Sequence, residues 1–431
     1  MGGIEAVLPL ARVFFNEDPR GEEYAPLAPR LDIEMGDSEW GLEQECRHLE
    51  PAESETGVRF SVFVDGVQRT VMVGRLRTPA FSQVPLHVFE VAAGYVWRGD
   101  DRRVRAGGWV RLRGMVAPFA AAFGDEGYAE RVARALVGSA GKRVEPFWRL
   151  GEDPLLPLRP EAPDFWVFDS SLVGIGGSSG QLIAEAELAN EARVRTLALA
   201  KVAHGRQVME LGVHLALRAG ELGVSTETFV PSLRKEVAGR EPWVMHDGPL
   251  FFTARRRKMV AEVLGLSPMR LDDALLRRSV GYVKNHRLRP ADVECVLGTP
   301  AGRMTEARAH RAVEPPDRYL RWDLLEEDER TYALDVYSFY LRMWRDEDLR
   351  RAGVSGGGLV RVQFGASAIA ELGERDRNAA AARIAIGVYR ERVPLPRFRF
   401  QPYPIDALER FLRGKLTVPE RMRAEVLRWF G

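Results

Sequence analysis

The clearest pattern along the chain is a set of apolar runs that end in an acidic residue. Val244–Phe252 reads VMHDGPLFF, an apolar run that reaches Asp247 and then Gly-Pro. Phe60–Arg69 has the same order and reaches Asp65-Gly66. Apolar β-rich runs bounded by Asp-Gly are typical of buried strands followed by a turn. The pattern predicts two strands, each ending in a carboxylate, at one end of a sheet.

Further strands are predicted around the first of these runs. Thr70–Leu76 and Leu86–Trp97 are both β-rich and are separated by proline-marked turn residues. We therefore expect three strands at hairpin-like spacing over residues 58–98. Glu161–Asp169 is another apolar run that ends in an acid, which makes Asp169 a third candidate acid.

The strongest helical pattern covers residues 181–222. Alanine, leucine and glutamate dominate there, and apolar residues recur at intervals of three and four residues. Gly205 is a candidate point of division into two helices. Arg206 and Glu210 are four residues apart and so share a helical face, and Glu191 lies earlier on the same segment. Most acids on such a helix are solvated, so a ligand role depends on which strands lie beside it.

Basic residues follow the second acidic run. Arg255 and Arg256 belong to a cluster just beyond Asp247, which suits a phosphate but equally suits an exposed turn or a helix N-terminus. Residues 278–289 form a β run that reaches Lys284, which could contact a phosphate or orient a water. Arginines are also interleaved with Trp109 over residues 102–113, predicting either a ribbon along a phosphate backbone or a solvated edge hairpin.

Composition limits the class of protein. The chain has 431 residues, 45% of them hydrophobic, which is enough for two or three domains or one elaborated α/β domain. The formal net charge is +1, so any nucleic-acid surface must be local. The two cysteines, Cys46 and Cys295, are far apart and predict no disulfide framework and no zinc site. No apolar run of about 18 residues occurs, and we expect a cytoplasmic protein without a membrane span.

Two carboxylates at one sheet end repel each other and need a compensating group. A divalent metal ion is the commonest one, and oxygen ligands favour Mg²⁺ or Mn²⁺ over Zn²⁺. Asp65, Asp247 and a helix glutamate could together hold metal ions that bridge a phosphate.

The order of several short motifs resembles that of the NurA family of DNA-end-processing nucleases, which have an RNase H-like fold. The motifs that carry the resemblance are FVDGVQR at 63–69, HDGPLF at 246–251, VGYVKN at 280–285, VRVQF at 360–364 and QPYPIDAL at 401–408.

The resemblance implies a fold and a domain organisation. The expected class is α/β, an RNase H-like mixed sheet flanked by helices, with large insertions. A nuclease domain would cover 57–431, with insertions near 100–178 and 290–356, after an N-terminal flanking segment at 1–56.

The resemblance also implies site residues. Asp65 and Asp247 would be metal ligands, completed by Glu210 or Glu191, and Lys284 would be catalytic. The family has a histidine shortly after its Tyr-Pro motif and this chain has none there; Asp406 or Glu409 would replace it, or the fourth ligand is missing. Residues expected to bind substrate are Arg69, Arg255, Arg256, Lys284 and Tyr403.

The implied activity is metal-dependent cleavage of DNA, as a single-strand endonuclease and a 5′-to-3′ exonuclease that processes ends in double-strand break repair. The resemblance also implies a homodimer that works with a HerA-type hexameric ATPase. Because this chain has no Walker A motif, the motor would be another protein. The alternatives are a non-catalytic DNA-binding or scaffold subunit that retains the fold, and a nuclease of RNA or of foreign DNA.

Overall fold

The structure of the protein is a computed structural model. It describes residues 12–14, 23–24, 34–35, 48–49, 57–77, 84–123, 127–141, 143–147, 163–170, 191–225, 233–234, 236–237, 240–250, 260–284, 287–288, 304–305, 308–313, 333–344, 347, 349, 358–375, 377–393 and 401–430.

The strands of the described residues are numbered in chain order. They are β1 (Arg12–Phe14), β2 (Glu23–Tyr24), β3 (Glu34–Met35), β4 (His48–Leu49), β5 (Phe60–Arg77), β6 (Val84–Arg98), β7 (Val104–Ala117), β8 (Val144–Phe147), β9 (Phe165–Asp169), β10 (Trp243–Asp247), β11 (Ser279–Val283), β12 (Arg287–Leu288), β13 (Met304–Thr305), β14 (Arg308–Val313), β15 (Ala333–Arg342) and β16 (Leu359–Gly365).

The strands form one large mixed sheet. Its order is β4-β13-β15-β16-β11-β10-β5-β6-β7-β9-β8, with β1 and β2 paired to β5 and β14 paired to β15. The pairs β5–β6 and β6–β7 are antiparallel. The pairs β5–β10 and β10–β11 are parallel, and β16 is antiparallel to β11. A separate two-stranded pair joins β12 to β3.

Helices cover both faces of this sheet. They are α1 (Phe119–Phe123), α2 (Tyr128–Ala140), α3 (Glu191–Leu222), α4 (Pro268–Leu276), α5 (Ser367–Glu371), α6 (Arg377–Arg390), α7 (Tyr403–Arg413) and α8 (Pro419–Phe430). The long helix α3 packs on β5, β6 and β7, where Val62 and Val64 share a core with Leu215. On the other face, Phe63 and Met245 share a core with α6 and α7. The predicted α/β class, a mixed sheet flanked by helices, is confirmed.

Strand β5 differs from its prediction. It continues through Asp65-Gly66 to Arg77, so the expected turn at Asp65 and the separate strand at Thr70–Leu76 are wrong. The antiparallel partner β6 continues the hydrogen-bond ladder past this point, with Gly66 opposite Ala93. Pairing and packing in the sheet therefore override the turn preference of Asp-Gly.

Helix α3 is continuous at the point where the sequence suggested a division into two helices. It runs unbroken from Glu191 to Leu222, so Gly205 does not divide it. A Cβ atom at Gly205 would lie 3.1 Å from Leu112 Cδ2 of β7. The glycine is thus a point of close approach between the helix and the sheet, and tertiary packing outweighs its low helix propensity.

The segments expected as insertions contribute to the same sheet. The region near 100–178 supplies β7, β8 and β9, and the region near 290–356 supplies β13, β14 and β15. The flanking segment 1–56 supplies β1 and β2, which pair with β5. Among the described helices, none combines the length and the apolar character needed to cross a membrane.

Candidate metal centre

Asp65 and Asp247 lie side by side at the centre of the sheet. Val64 of β5 is opposite His246 of β10 in the parallel register, so the two aspartates follow on neighbouring strands. Both are buried, with exposed fractions of 1% and 8%. Burial, and then the charge of Asp247, raises the pKa of Asp65 well above its usual value. The sheet therefore brings together two carboxylates, and burial and the charge of Asp247 disfavour the ionisation of Asp65.

The two oxygens of Asp247 have different surroundings. Lys284, directly after β11, donates from Nζ to Oδ2 over 2.7 Å. Gln401, directly before α7, donates from Nε2 to the same oxygen over 3.3 Å. Oδ1 is buried and has no hydrogen-bond partner among the described residues. A buried carboxylate oxygen without a partner is costly, and one held in a fixed orientation is available to a ligand.

Glu210 reaches the same place from helix α3. Its Oε1 accepts a hydrogen bond from Arg206 Nε over 2.8 Å, and its Oε2 lies 3.2 Å from His246 Nε2. Burial alone would raise its pKa, but Arg206 and His246 outweigh burial and lower the pKa of Glu210 to about 2. Glu210 is therefore held as a carboxylate.

Gly66 makes the approach of Glu210 to the sheet sterically possible. A Cβ atom at this position would lie 2.5 Å from Glu210 Oε1 and 3.1 Å from Arg206 Nε. Contacts that short force a neighbour to move, so only glycine leaves the helix side chains in place.

Arg206 joins the helix acid to a strand acid. Its Nη2 donates to Asp65 Oδ1 over 3.2 Å while its Nε is bonded to Glu210. Asp65 Oδ1 also accepts from the backbone N–H of Gly66 over 2.7 Å. Because Arg206 is closer to Glu210 than to Asp65 and Asp247 adjoins Asp65, the pKa of Glu210 falls while that of Asp65 rises.

Two histidines lie behind Glu210. The ring centroids of His214, on α3, and His246, on β10, are 5.0 Å apart. Burial, and then His246, lowers the pKa of His214 well below its usual value. His246 thus positions Glu210 from the side of the sheet.

Several predicted residues meet here and others do not. Arg206 joins Asp65 to Glu210, Lys284 pairs with Asp247, and the charge of Asp247 acts on Asp65. Glu191 is the first residue of α3, but its side chain lies outside the described part of the chain. The predicted phosphate-binding residues Arg255 and Arg256 also lie outside the described residues.

The two other residues expected to bind substrate, Arg69 and Tyr403, differ in whether the side chain is engaged in the fold or exposed. Arg69 donates to the carbonyl oxygens of Leu416 and Thr417, over 3.3 and 2.6 Å, and so ties down the connection between α7 and α8. Tyr403 begins α7, two residues after Gln401, and 55% of it is exposed. Of the two, Tyr403 is the side chain that is open to a ligand.

The remaining candidate acids lie in other contacts. Asp169 accepts from the backbone N–H of Ala120 over 2.8 Å, on a strand that β6 and β7 separate from β5. Asp169 is therefore not part of this site, and its prediction as a third acid is wrong. On α7, Asp406 pairs with Arg410 over 2.8 Å, and Glu409 pairs with Arg413. These pairs lie along one helix.

Sequence reasoning missed the roles of three residues in the network. His246 and Gly66 were inside the quoted motifs, but their contacts to Glu210 depend on how α3 packs. Gln401 begins the QPYPIDAL motif and carries a buried amide. A polar residue directly before an amphipathic helix was the available signal for Gln401.

The fit to a divalent cation is incomplete in the described residues. They contain no group of three or more His, Cys, Asp or Glu side chains arranged to hold a metal ion. Asp65 and Asp247 fit a hard cation, since they are adjacent carboxylates and Asp247 Oδ1 has no hydrogen-bond partner among the described residues. Glu210 does not join them, because both of its oxygens face Arg206 and His246.

A second buried ion cluster lies elsewhere on the sheet. Arg113 of β7 bridges two acids, with Nε 3.1 Å from Glu90 Oε1 and Nη2 2.6 Å from Glu425 Oε2. Glu90 also accepts from the backbone N–H and the hydroxyl of Thr417, over 2.6 and 2.8 Å. Arg113 therefore faces inward rather than along a phosphate backbone.

Comparison with known proteins adds no family. No protein-family model matches the chain. No curated protein matches it. The resemblance to the NurA family therefore stays a prediction that rests on the order of short motifs.

Proposed function

We propose that this chain is a metal-dependent DNA nuclease whose metal centre is built on Asp65 and Asp247. The observation that carries the proposal is the orientation of Asp247. Lys284 and Gln401 both bond to Oδ2, and Oδ1 is left buried without a partner among the described residues. Such an arrangement costs free energy until a donor or a cation reaches Oδ1, and we propose that a divalent cation does so.

The strand order supports the RNase H-like part of the proposal. In β7-β6-β5-β10-β11, three antiparallel strands are followed by two that run parallel to β5. This is the order expected of an RNase H-like sheet, and the two aspartates lie on its central strands β5 and β10. A fold alone does not give a function, so the argument for the nuclease rests on the acids.

The chemistry follows from the roles of these side chains. A bound Mg²⁺ or Mn²⁺ would supply a Lewis acid and lower the pKa of a water. Asp65 and Asp247 would hold the ion through hard oxygen atoms. Lys284 fixes Asp247 and places an ammonium where negative charge develops on a phosphate. Gln401 holds the same oxygen, so Oδ1 keeps its direction during the reaction.

The substrate and the partners are part of the same proposal. Tyr403 is exposed close in sequence to Gln401, where an aromatic ring could stack on a base of single-stranded DNA. The single-strand endonuclease and 5′-to-3′ exonuclease activities, the role in break repair, the homodimer and the HerA-type ATPase are proposed from the motif resemblance.

The experiment is a cleavage assay on labelled single-stranded DNA with Mn²⁺, with and without a chelator. We expect chelator-sensitive degradation by the wild type and its loss in Asp65→Asn and Asp247→Asn. Asp101→Asn is the matched control, since Asp101 is a surface carboxylate that pairs with Arg105. Full cleavage by either site variant would overturn the proposal.

A second candidate function has one observation in its favour. The described residues bring together no set of three metal-ligating side chains, as expected of a non-catalytic DNA-binding or scaffold subunit. Binding of single-stranded DNA without Mn²⁺-dependent cleavage by the wild type would favour this second function.

A further inference from the structure

Two cations and two aromatic rings share one surface at the end of helix α7, which we call the Trp109 patch. Arg111 of β7 and Lys415, just after α7, are both exposed, and Arg111 Nη1 donates to the carbonyl oxygen of Lys415 over 3.5 Å. The Lys415 ammonium lies 5.7 Å from the ring centroid of Trp109 and 5.0 Å from that of Phe411. Neither cation has an acidic partner among the described residues.

The other basic residues at this end of α7 are neutralised. Arg410 pairs with Asp406 over 2.8 Å, and Arg413 pairs with Glu409 over 2.6 Å. Each of these ion pairs joins residues four apart on the helix. The positive charge that stays uncompensated is therefore at the Trp109 patch, and it attracts anionic groups to that surface.

The ring of Trp109 is held on the sheet by a glycine opposite it. Trp109 of β7 faces Gly94 of β6 across the antiparallel ladder. A Cβ atom at Gly94 would lie 2.9 Å from Trp109 Cβ and 3.3 Å from Leu412 Cδ2 of α7. The indole is partly buried and packs against the core under α6 and α7. A ring fixed on a strand in this way binds with little loss of conformational entropy.

A change of register places Trp109 on a different face from the start of its strand. The pairing of β6 with β7 shifts just after Gly94. Trp97, which lies against Arg105, packs on the core under α3, whereas Trp109 packs on the opposite core. The basic ribbon predicted over residues 102–113 is therefore divided between two faces of the sheet, and the Trp109 patch is the part on the α7 side.

We propose that the Trp109 patch binds a single strand of DNA, with a base stacked on Trp109 and phosphates held by Arg111 and Lys415. An unpaired base presents its π-face to an aromatic ring, whatever the sequence. Arg111 offers a fork to a phosphate, and Lys415 offers a compact charge on a flexible stem. The inference rests on the proposed function for the choice of DNA alone, since this binding needs neither a metal ion nor cleavage.

The first test is the affinity for labelled oligothymidylate of about 12 nucleotides, measured by fluorescence anisotropy in the presence of a chelator. We expect Trp109→Leu to bind about tenfold more weakly, because the stacked base loses its ring. Trp109→Phe keeps an aromatic face, so its affinity should stay within about threefold of the wild type. Wild-type affinity in Trp109→Leu would overturn the inference.

The salt dependence of binding tests the two cations without touching the core. Each phosphate contact contributes about 0.7 to the slope of log affinity against log salt concentration for a single strand. Arg111→Gln and Lys415→Gln should each reduce that slope by about 0.7. Both side chains are exposed, so both variants should fold. An unchanged slope in the double variant would overturn the inference even if Trp109→Leu does not fold.

The matched control is the other tryptophan of this hairpin, Trp97. The guanidinium groups of Arg105 and Arg240 lie 5.0 and 5.9 Å from its ring centroid, and Arg105 is bonded to both carboxylate oxygens of Asp101. Trp97→Leu removes a partly buried indole of the same size, and we expect its DNA affinity to equal that of the wild type. An equal loss in Trp97→Leu and Trp109→Leu would show a general loss of packing and would overturn the inference.

Competing ligands test the chemical class. Duplex DNA hides its base faces, so we expect it to bind at least about tenfold more weakly than the single strand. Equal binding of the duplex would show attraction by charge alone and would overturn the stacking. Tighter binding of oligouridylate would overturn the choice of DNA. Displacement of the DNA by vesicles of phosphatidylcholine and phosphatidylserine in equal parts would overturn the assignment to nucleic acid.

The outcomes separate this inference from the proposed function. Binding in chelator that depends on Trp109, by a wild type that does not cleave DNA with Mn²⁺, would support the patch and overturn the nuclease. Mn²⁺-dependent cleavage by the wild type, with unchanged DNA affinity in Trp109→Leu, would overturn the patch alone.

Discussion

Two arginines of this protein each bridge two acids, and the two clusters differ in whether every carboxylate oxygen has a hydrogen-bond donor. Around Arg113, Glu90 is fully buried and both of its oxygens have donors. Around Arg206, the acids adjoin Asp247, which keeps one oxygen without a partner among the described residues. Every carboxylate oxygen of the first cluster has a donor, although Arg113 Nε faces Glu90 as an ion pair without a hydrogen bond among the described residues. By its carboxylate oxygens, the first cluster is closed and the second is open.

The difference indicates where a ligand is expected. A closed cluster recovers the cost of burying its charges through its own hydrogen bonds, so it acts as structure. An open cluster leaves part of that cost in place, and burial, followed by the charge of Asp247, raises the pKa of Asp65. Buried carboxylates with an unpaired oxygen and a shifted pKa are typical of ligand-binding and catalytic sites.

The largest expected effect on stability comes from opening the closed cluster. Glu90→Gln leaves Arg113 with one acid in a buried position, and we expect it to lower the free energy of unfolding by about 3 kcal/mol. Mn²⁺ affinity should not change, because Glu90 lies outside the open cluster. Chemical denaturation and Mn²⁺ titration of the same sample measure both; a loss of Mn²⁺ binding would contradict the separation of the clusters.

The next effect comes from filling the space at Gly66. Gly66→Ala places a Cβ atom 2.5 Å from Glu210 Oε1, so the acid and Arg206 must move. We expect a loss of about 1–3 kcal/mol in the free energy of unfolding and a fall in cleavage of about 100-fold.

The control for Gly66 is a glycine with open space around it. Gly138 lies in helix α2, and no atom lies within 4 Å of a Cβ built there. Gly138→Ala should raise the free energy of unfolding by about 0.5–1 kcal/mol and leave cleavage unchanged. Equal cleavage of DNA by Gly66→Ala and Gly138→Ala would show that the site does not need a glycine at position 66.

The smallest effect is on the pH dependence of stability in chelator. The pKa of Asp65 is raised in the folded state, so its contribution to stability is lost as pH rises from its usual pKa of 3.8 through the folded value. The pKa of Glu210 is about 2, below its usual 4.5, so its contribution is present above 4.5 and lost as pH falls toward 2.

The two acids should therefore respond in opposite directions. At neutral pH, Asp65→Asn should be more stable than the wild type and Glu210→Gln less stable, and both differences should shrink toward acid pH. Thermal denaturation between about pH 3 and pH 7 measures them. If both variants changed stability at neutral pH in the same direction, Asp65 would not be the acid that is destabilised by ionisation.

The sequence predicted the parts of the site that depend on local pattern. Apolar runs predicted β5, β10 and β11, and the helical period predicted α3, which place Asp65, Asp247, Lys284 and Glu210 on or next to these elements. The choice of Glu210 or Glu191 as the helix acid came from the motif resemblance. It did not predict that β5 continues past Gly66, because the ladder to β6 overrides the Asp-Gly turn preference. The length of β5 is set by its pairing with β6, which the local sequence pattern does not show.

The contacts made at the site were also beyond prediction. Gln401 meets Asp247 from a segment far along the chain, and Arg206 meets Asp65 only because α3 packs on β5. Spacing showed that Arg206 and Glu210 share a face but not that the face lies over the aspartates. Tertiary structure alone determines which oxygen of Asp247 has no partner within the described part of the chain.

The most direct test of the central claim is Mn²⁺ binding by the wild type, Asp247→Asn and Glu90→Gln, followed by electron paramagnetic resonance in the absence of DNA. The open cluster predicts that Asp247→Asn weakens Mn²⁺ binding by at least about tenfold while Glu90→Gln binds as the wild type does. Equal Mn²⁺ binding by all three proteins would contradict a metal centre at Asp65 and Asp247.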